Sequence, residues 1–353
     1  MSRFFTSQLR HLEAYTPGEQ PRDMQYTKLN TNESPFPAPQ TVIDAAEREA
    51  GKLNLYCDPA CTALCAAAAK LYDVEPCNIM PVNGSDEALY FAFLAFCDDT
   101  HPMAYPDISY SFYPVFAAIN RICAHPIALK PDFTIDPADY CGLHENIVIA
   151  NPNAPTGIAL TLTQIETIVS SNPDHIVIID EAYVDFGAES CVPLTKKYDN
   201  LLVTQTFSKS RSMAGARLGF AIGHRDLIAD LNTIRFSTNP YHVNRMTQAA
   251  GIAAIEANET FLANCRVIME NREYTTRALS RLGFTVLPSK ANFVFARHAT
   301  IPGGTLYTAL KARGVLVRHF TRAEIDPYLR ITIGTRQQMD ILLTTLKDII
   351  TKE

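Results

Sequence analysis

The chain has 353 residues, of which 47% are hydrophobic and 19% are charged, and its formal net charge is −6. This length suits two domains of roughly 100–200 residues each, and the acidic balance argues against a general nucleic-acid-binding protein, which would normally present a basic face. Neither a signal peptide nor a run of about 18 uninterrupted apolar residues is present, so we expect a cytoplasmic protein without a membrane-spanning segment.

The first two thirds of the chain predict an α/β sheet. A helix is predicted over Ser85–Cys97, because a serine at the N-cap is followed by two acidic residues in the first turn. Further along, short apolar runs alternate with a second helical pattern at Leu162–Ser170. Four strands are predicted from these runs: Asn146–Ala150, His175–Asp180, Asn200–Gln205 and Gly219–Ile222. Continuous apolar strands separated by helices are typical of a mostly parallel central sheet that is covered by helices on both faces.

The pattern changes near residue 241 and predicts a smaller α+β domain. A long helical region is predicted first, over Val243–Leu282, with later helices near Thr305–Arg313 and Arg336–Thr351. Four short strands are predicted among them: Thr285–Leu287, Phe293–Ala296, Val315–Arg318 and Leu329–Ile333. The Pro-rich, irregular N-terminal residues are expected to pack beside this domain. We therefore predict a large α/β domain over residues 36–240 and a small domain formed by residues 1–35 and 241–353.

The nine cysteines are scattered and odd in number, which favours free thiols in a reducing cytoplasm over a disulfide framework. Cys57, Cys61 and Cys65 recur every four residues, which places the last two on one face of a helix. No histidine lies close to them in the sequence, so we interpret the spacing as core packing and predict no metal site.

Three motifs stand where three predicted strands end. NPNAPTG (Asn151–Gly157) follows the first strand, DEAY (Asp180–Tyr183) ends the second, and TFSK (Thr206–Lys209) follows the third. Each motif alone would be an ordinary turn, helix cap or surface residue. In open α/β sheets, however, ligands bind beyond the carboxyl ends of the strands. Their occurrence on three separate strands therefore indicates one shared site.

These residue types suit an aldehyde cofactor that activates amines. Lys209 can form a Schiff base with an aldehyde and can then move protons as a general base and acid. Asp180 can keep a pyridine nitrogen protonated, which makes the ring an electron sink. Backbone N–H groups at the start of the first predicted helix, in Gly84–Glu87, suit a phosphate group, as do the hydroxyl of Ser208 and the guanidinium of Arg217.

Two longer motifs carry a family resemblance: SKSRSMAGARLGF (Ser208–Phe220) and DEAYVDF (Asp180–Phe186). Six shorter segments fit the same family in order: Leu29–Phe36, Leu55–Pro59, Asn83–Glu87, Pro288–Phe293, Gly314–Phe320 and Leu329–Thr335. Through them the chain resembles the fold-type I aminotransferases that depend on pyridoxal 5'-phosphate, and within these the histidinol-phosphate aminotransferase group. The resemblance covers essentially the whole chain and implies the family's fold, a mostly parallel sheet with a smaller α+β domain.

The resemblance implies a role for each matching residue. Lys209 would hold the cofactor covalently, Asp180 would pair with its pyridine nitrogen, and Tyr183 would donate to its ring oxygen. Tyr110 would stack on the ring. The phosphate would be held by the amides of Ser85 and Asp86 and the side chains of Thr206, Ser208 and Arg217. Tyr56 would reach the phosphate bound by the neighbouring subunit, which implies a homodimer with shared sites.

One loop position departs from the family's usual pattern, which reads Asn-Pro-Asn-Asn-Pro-Thr-Gly. Ala154 stands where the second asparagine of the pair contacts the ring oxygen of the cofactor. Two substitutes for this contact are open. Asn153 could shift toward the ring oxygen, or Tyr183 could hold that oxygen alone.

The resemblance also implies the substrates, an amino donor and an oxo-acid acceptor. Histidinol phosphate would be the donor and 2-oxoglutarate the acceptor, as in histidine biosynthesis. Arg318 and Arg330 suit the anionic groups of these molecules, and Tyr15 of the N-terminal segment would close over that end of the pocket. The alternatives are a threonine-phosphate decarboxylase or an aromatic aminotransferase on the same scaffold. A non-catalytic sensor that binds the cofactor is the third.

Overall fold

A central sheet organises the larger part of the molecule. The computed structural model describes residues 2–10 and 12–351. Seven strands form this sheet, in the spatial order β2 (Ile79–Val82), β8 (Gly219–Gly223), β7 (Leu201–Thr206), β6 (Val177–Asp180), β5 (Asn146–Ala150), β3 (Met103–Pro106) and β4 (Ala124–Ile127). Strands β7, β6, β5, β3 and β4 run parallel, and only β8 runs antiparallel to its two neighbours. The predicted mostly parallel sheet is therefore confirmed.

Seven helices accompany this sheet: α1 (Gln40–Ala50), α2 (Thr62–Tyr72), α3 (Ser85–Phe96), α4 (Phe112–Asn120), α5 (Leu162–Ser171), α6 (Arg225–Thr238) and α7 (Arg245–Glu256). They build two hydrophobic cores, one on each face. Leu64 of α2 and Ile165 of α5 belong to one core, and Leu89 of α3 and Leu231 of α6 belong to the other. Every residue of β5, β6 and β7 is buried between these layers. The carboxyl ends of these strands are therefore held rigidly.

A second, smaller unit follows in the chain. It contains the helices α8 (Asn258–Arg281), α9 (Gly303–Lys311) and α10 (Arg336–Ile350) and the strands β9 (Phe284–Val286), β10 (Phe293–His298), β11 (Val315–Leu316), β12 (Arg318–His319) and β13 (Tyr328–Thr332). Four of the strands form an antiparallel sheet in the order β12-β13-β10-β9. The N-terminal strand β1 (Thr27–Lys28) pairs in parallel with β11. The N-terminal segment thus joins the small unit through backbone hydrogen bonds.

The predicted long helix over Val243–Leu282 is two helices in the structure, because α7 ends at Glu256 and α8 begins at Asn258. α7 packs against α1 and α2, and Ala250 and Ala254 lie in the core of the large sheet. The domain boundary near residue 241 stays a prediction, although this packing places α7 with the large unit. No helix in the described ranges is long and apolar enough to cross a membrane.

Candidate active site

A cavity of about 500 Å³ lies between the carboxyl edge of the large sheet and the small unit. Ala150, Asp180 and Thr206, the last residues of β5, β6 and β7, all line it. Twelve of the residues predicted for the site face this one cavity: Tyr15, Ser85, Asp86, Tyr110, Asp180, Tyr183, Thr206, Ser208, Lys209, Arg217, Arg318 and Arg330. The folding of the three parallel strands thus brings together residues that are far apart in the sequence.

Asp180 is a buried carboxylate at the end of β6, with 4% of its surface exposed. It accepts hydrogen bonds from the hydroxyls of Tyr113 (3.2 Å) and Thr204 (3.3 Å) and from the Ala182 amide (3.2 Å). Burial, followed by the charge of Asp86, raises the pKa of Asp180 to about 7. No cation lies within ion-pair distance of it in the part of the chain that the structure describes. A positively charged ligand group is therefore what this carboxylate lacks.

Lys209 and Tyr183 stand close together on the cavity wall. The Nζ atom of Lys209 donates to the Thr31 carbonyl at 3.2 Å and lies 5.9 Å from the centre of the Tyr183 ring. The hydroxyl of Tyr183 accepts a hydrogen bond from the Asn32 side-chain amide at 3.0 Å. Edge-to-face contact with Phe293, at 5.1 Å between ring centres, fixes the tyrosine ring. Both polar groups can therefore reach a ligand in the cavity.

The start of α3 forms a candidate anion site. Gly84, the N-cap residue, has a φ of +85°, and a Cβ atom there would lie 2.4 Å from a guanidinium nitrogen of Arg217. A Cβ atom at Gly219 would lie 2.7 Å from the Ser85 amide nitrogen. The two glycines therefore allow Arg217 and the first turn of a 12-residue helix to share one space. Free N–H groups at a helix start beside an arginine suit a phosphate group.

Hydroxyl groups lie beside this candidate anion site. Ser208 accepts hydrogen bonds from Arg217 Nη1 (3.4 Å) and from the Thr206 hydroxyl (3.0 Å). On the other side of Arg217, its Nη2 atom lies 3.2 Å from a carboxylate oxygen of Asp86. The second oxygen of that carboxylate accepts from the Tyr110 hydroxyl at 2.7 Å. Asp86 thereby links the arginine to the aromatic residue beside it.

Tyr110 is the aromatic residue predicted to stack on the cofactor ring. Its ring packs against Phe112 and Tyr113, with ring centres 5.5 and 5.7 Å away. Burial, together with the neighbouring carboxylates of Asp86 and Asp180, raises the pKa of Tyr110 well above its usual value. Tyr110 therefore presents a neutral phenol on the cavity wall at neutral pH.

Asn153 does not line the cavity, and its predicted contact with the cofactor stays a prediction. Its side-chain amide donates to the Ile108 carbonyl (2.9 Å) and to the Thr156 hydroxyl (3.2 Å), and its oxygen accepts from Ser109 (2.7 Å). Both N–H groups are thus used to hold the loops together. Ala154, the next residue, faces the cavity instead and offers no polar group.

Arg318 and Arg330 are directly opposite each other on β12 and β13. Arg330 donates to the Asn30 carbonyl at 3.1 Å, and its buried Nε atom has no hydrogen-bond partner among the described residues. Burial lowers the pKa of Arg330. Arg318 donates to the carbonyls of Thr16 (3.3 Å) and Pro17 (3.4 Å). The pair forms a cationic end of the cavity with hydrogen-bonding capacity to spare.

Of two remaining predicted residues, Tyr15 lies at the edge of the site and Tyr56 lies outside it. Tyr15 stacks on Phe112 with ring centres 4.3 Å apart and closes one side of the cavity near Arg318. Tyr56 does not line the cavity. It is 77% exposed and stacks on Tyr241 at 4.2 Å.

Sequence reasoning assigned no role to two residues that touch the site. Tyr113, in the first turn of α4, donates to Asp180, and its ring is completely buried. Asn32 donates to Tyr183 from the N-terminal segment. Asn32 falls within the recognised segment Leu29–Phe36, so that motif contained a signal, but a contact across 151 residues of sequence cannot be derived from spacing.

Residues 25–346 match the family model described as aminotransferase class I and II. Histidinol-phosphate aminotransferase of Brachyspira hyodysenteriae is 50% identical over 352 residues, which cover 99% of both chains. The protein of the same name from Acinetobacter baumannii is 46% identical over 349 residues, 98% of this chain and 97% of that one. Among solved structures, histidinol-phosphate aminotransferase of Sinorhizobium meliloti, in complex with pyridoxal-5'-phosphate, has a TM-score of 0.85 at 22% identity and covers 93% of this chain and 92% of that one.

The fold and the cavity therefore define a pyridoxal-phosphate-dependent aminotransferase, and the chain belongs to the aminotransferase class I and II family. Within that family its place is among the histidinol-phosphate aminotransferases. The cavity fits the cofactor on independent grounds. The buried Asp180 has no cationic partner among the described residues, and the start of α3 makes room for an anion beside Arg217.

Proposed function

We propose that the chain transfers the amino group of histidinol phosphate to 2-oxoglutarate. The observation that carries this proposal is the pair of facing arginines, Arg318 and Arg330, with an unpartnered buried Nε atom. Histidinol phosphate presents a phosphate dianion, and the acceptor presents carboxylates. Two adjacent guanidinium groups bind either anion well, because each offers planar, paired N–H donors. The names of the relatives at 46–50% identity support the same substrate.

Bound pyridoxal 5'-phosphate supplies an aldehyde that combines with amines and a ring that takes up electrons. We assign Asp180 the task of holding a proton on the ring nitrogen. The hydrogen bonds from Tyr113 and Thr204 aim its carboxylate and stabilise the ionised form. A cation against this carboxylate lowers the pKa of Asp180 from about 7, so the carboxylate stays charged in the working enzyme.

Lys209 is assigned two tasks, covalent attachment of the cofactor and proton transfer. Its amine donates one hydrogen bond, to the Thr31 carbonyl, and an ammonium group has three donors. The side chain is half-buried and lines the cavity, so it can turn from Thr31 toward a bound molecule. In its free-base form it can take a proton from the substrate carbon and return it elsewhere.

The cofactor phosphate is assigned to the amides of Ser85 and Asp86, the hydroxyls of Thr206 and Ser208, and the guanidinium of Arg217. Tyr110 is assigned to the face of the ring. The Tyr110 hydroxyl donates a hydrogen bond of 2.7 Å to Asp86. This bond holds the phenol in place, so the orientation of the ring does not depend on the ligand.

The substrate end is assigned to Arg330, Arg318 and Tyr15. Arg330 is held in place by the Asn30 carbonyl and by the rings of Phe293 and Phe320, at 5.4 and 5.6 Å. Arg318 is held by the carbonyls of Thr16 and Pro17 in the N-terminal segment and by the ring of Phe320, at 5.4 Å. The same segment positions Tyr15, so binding at Arg318 and closure by Tyr15 are mechanically connected.

We further propose that the protein is a homodimer. Leu53, Leu55 and Tyr56 form an apolar surface in which each side chain is 59–77% exposed, and Tyr241 extends it. An exposed group of large apolar side chains in one short segment is typical of a protein interface. Tyr56 would then extend into the partner's site and reach the phosphate there. The free state of all nine cysteines supports a cytoplasmic location.

An amine screen tests the proposed reaction. The purified protein, loaded with cofactor, is given histidinol phosphate, threonine phosphate or phenylalanine, each with 2-oxoglutarate, and glutamate is measured. We expect the highest kcat/KM for histidinol phosphate. Release of carbon dioxide from threonine phosphate would indicate the decarboxylase, and preference for phenylalanine would indicate an aromatic aminotransferase. Cofactor absorbance without turnover of any amine would indicate a sensor.

A further inference from the structure

A segment of three residues, Asn30–Asn32, touches three of the assigned site residues. It lies between β1 and α1 and crosses the cavity edge. The contacts are Arg330 Nη2 to the Asn30 carbonyl (3.1 Å), Lys209 Nζ to the Thr31 carbonyl (3.2 Å) and the Asn32 amide to the Tyr183 hydroxyl (3.0 Å). The first two use the backbone and tolerate many side chains. The third depends on the side chain of Asn32.

The orientation of the Asn32 side chain is fixed by Thr332. The backbone N–H of Asn32 donates to the Thr332 hydroxyl oxygen at 3.0 Å, and that hydroxyl donates its single proton to the side-chain oxygen of Asn32, also at 3.0 Å. The side-chain nitrogen of Asn32 therefore points at Tyr183. Asn32 has 1% and Thr332 has 3% of its surface exposed, so water does not compete for these bonds.

The backbone of Asn32 is also held in place. Asn32 has a φ of +57°, in the left-handed region that asparagine tolerates better than most residues. Its carbonyl accepts from the Asn292 side chain at 2.9 Å. Asn32 therefore presents its amide to Tyr183 without any freedom to rotate away.

A phenol has one proton to donate and can accept other hydrogen bonds. The amide of Asn32 fills an acceptor position of the Tyr183 oxygen, so the proton of Tyr183 must point elsewhere. Ala154 offers no competing polar group on this wall of the cavity, and the nearby Asn153 amide is fully occupied by Ile108 and Thr156. Tyr183 is therefore left to serve a ligand oxygen without help from the loop that carries Ala154.

We propose that Asn32 is a positioning residue that directs the Tyr183 hydroxyl proton to the ring oxygen of the cofactor, in place of the amide that Ala154 lacks. The proposal rests on the proposed assignment of Tyr183 to that oxygen. Asn32 acts through Tyr183 and contacts no reacting atom itself. Its effect is to favour the form of the bound cofactor in which the ring oxygen is negatively charged.

The absorption spectrum of the bound cofactor tests this proposal, because the visible band changes with the protonation of the chromophore. The pH midpoint of that change is measured for the wild type and for Asn32→Gly. Glycine suits the left-handed backbone, so the variant removes the amide without adding strain. We expect the midpoint to rise by about one pH unit, because a weaker donor stabilises the charged ring oxygen less. The exchange Lys28→Gln, in the preceding strand β1, should leave the midpoint unchanged.

A double-variant comparison shows whether Asn32 acts through Tyr183. Tyr183→Phe should raise the midpoint by itself, and Asn32→Gly in that background should add nothing. Ala154→Asn should lower the midpoint in the Asn32→Gly background by supplying a new donor. An unchanged midpoint in Asn32→Gly, or an equal rise with and without the Tyr183 hydroxyl, would overturn the proposal. A wild type without any cofactor band would instead refute the proposed function.

Discussion

Asp107 and Arg322 join the two sides of the cavity mouth, with an oxygen of Asp107 2.7 Å from the Nη2 atom of Arg322. Asp107 directly follows β3 of the large sheet, whereas Arg322 lies between β12 and β13 of the small unit. Both residues line the cavity. Arg322 is also held by Glu324 at 3.0 Å. The ion pair therefore restrains the small unit against the large sheet at the edge of the cavity.

We predict that Arg322→Gln raises the KM for the amine substrate by about two- to fivefold and leaves cofactor affinity unchanged. The arginine is 41% exposed, so solvent screens the pair and the effect is modest. High salt should raise the KM of the wild type in the same way, because it screens the ion pair. Steady-state kinetics at two salt concentrations measure this. Lys130→Gln, which removes a somewhat more exposed ion pair with Asp136 away from the cavity lining, is the control. A KM that does not change would show that the pair has no part in closure.

Lys209 is predicted to be the lysine that carries the cofactor. Borohydride reduction of the loaded protein, followed by peptide mapping, should place the pyridoxyl group on Lys209, since its Nζ atom faces the same cavity as Asp180 and the anion site. Lys209→Arg keeps the charge but should abolish the label. Lys290→Arg, a lysine outside the cavity lining, should retain it. A label on any other lysine would contradict the assignment.

We predict that replacing the buried Asp180 with asparagine has opposite effects on the stability of the cofactor-free protein and on its affinity for the cofactor. Its pKa is about 7 in the fold and about 4 in the unfolded chain, so the folded protein retains a proton that the unfolded chain releases. The contribution of the protonated Asp180 carboxyl to the free energy of unfolding is fully present below pH 4 and is lost as the pH rises to 7. We therefore expect Asp180→Asn to stabilise the cofactor-free protein at pH 8, by an amount on the order of 2–4 kcal/mol that shrinks toward pH 5.

Urea unfolding of both cofactor-free proteins between pH 5 and pH 8 measures this difference. The same variant should bind the cofactor more weakly, because it cannot ionise against the ring nitrogen. Asp139→Asn, a carboxylate in an exposed turn, is the control. A stability difference that is constant with pH would mean that Asp180 does not titrate in this range.

Much of the site could be predicted from the sequence because the cavity-lining motifs end continuous apolar strands. Asp180 closes β6 and Thr206 closes β7, and both patterns were recognisable. The strands β2, β3 and β4 were not predicted, since each contains a proline, which weakens the strand signal. The predicted strand Val315–Arg318 is divided, because Val315 pairs with β1 and Arg318 pairs with β13.

The orientation of the Asn153 side chain has a local cause that composition does not reveal. Asn153 sits in a turn-rich loop beside the cavity, where either side of the chain could face the ligand. Three partners from the loop and from the Ile108–Ser109 segment take its side chain inward. Such tertiary partners are set by the packing of distant elements, so spacing alone cannot identify them.

Tyr56 is predicted to bind the cofactor of the partner subunit. Losing one phenol hydrogen bond to a charged phosphate should weaken cofactor binding by ~1.5–3 kcal/mol, or about 10- to 100-fold. Tyr56→Phe should therefore release the cofactor more readily on dilution while remaining dimeric. Tyr26→Phe, which removes an exposed phenol in the N-terminal segment, is the control. A protein that is monomeric and fully active at assay concentration would refute both the dimer and this role.

Arg318 is predicted to discriminate between phosphate-bearing and carboxylate-bearing substrates. Arg330 is fixed by the Asn30 carbonyl and lies deep in the cavity, so it can bind the α-carboxylate that every amino acid presents. Histidinol phosphate has no carboxylate, and its phosphate dianion is better matched by two guanidinium groups than by one. Arg318 faces Arg330 across the strands, donates longer hydrogen bonds to Thr16 and Pro17, and lies 5.4 Å from the centre of the Phe320 ring.

Arg318→Ala should therefore lower kcat/KM for histidinol phosphate by about 10- to 100-fold and that for glutamate by much less. Arg313→Ala removes an exposed arginine of the same unit outside the cavity and serves as the control for loss of charge. Both rates are measured for the three proteins at the same ionic strength, because screening weakens long-range attraction equally for each. If the two substrates lose the same factor, Arg318 contributes only to general attraction of anions, and the choice of substrate must lie with Arg330 and the wall formed by Tyr15.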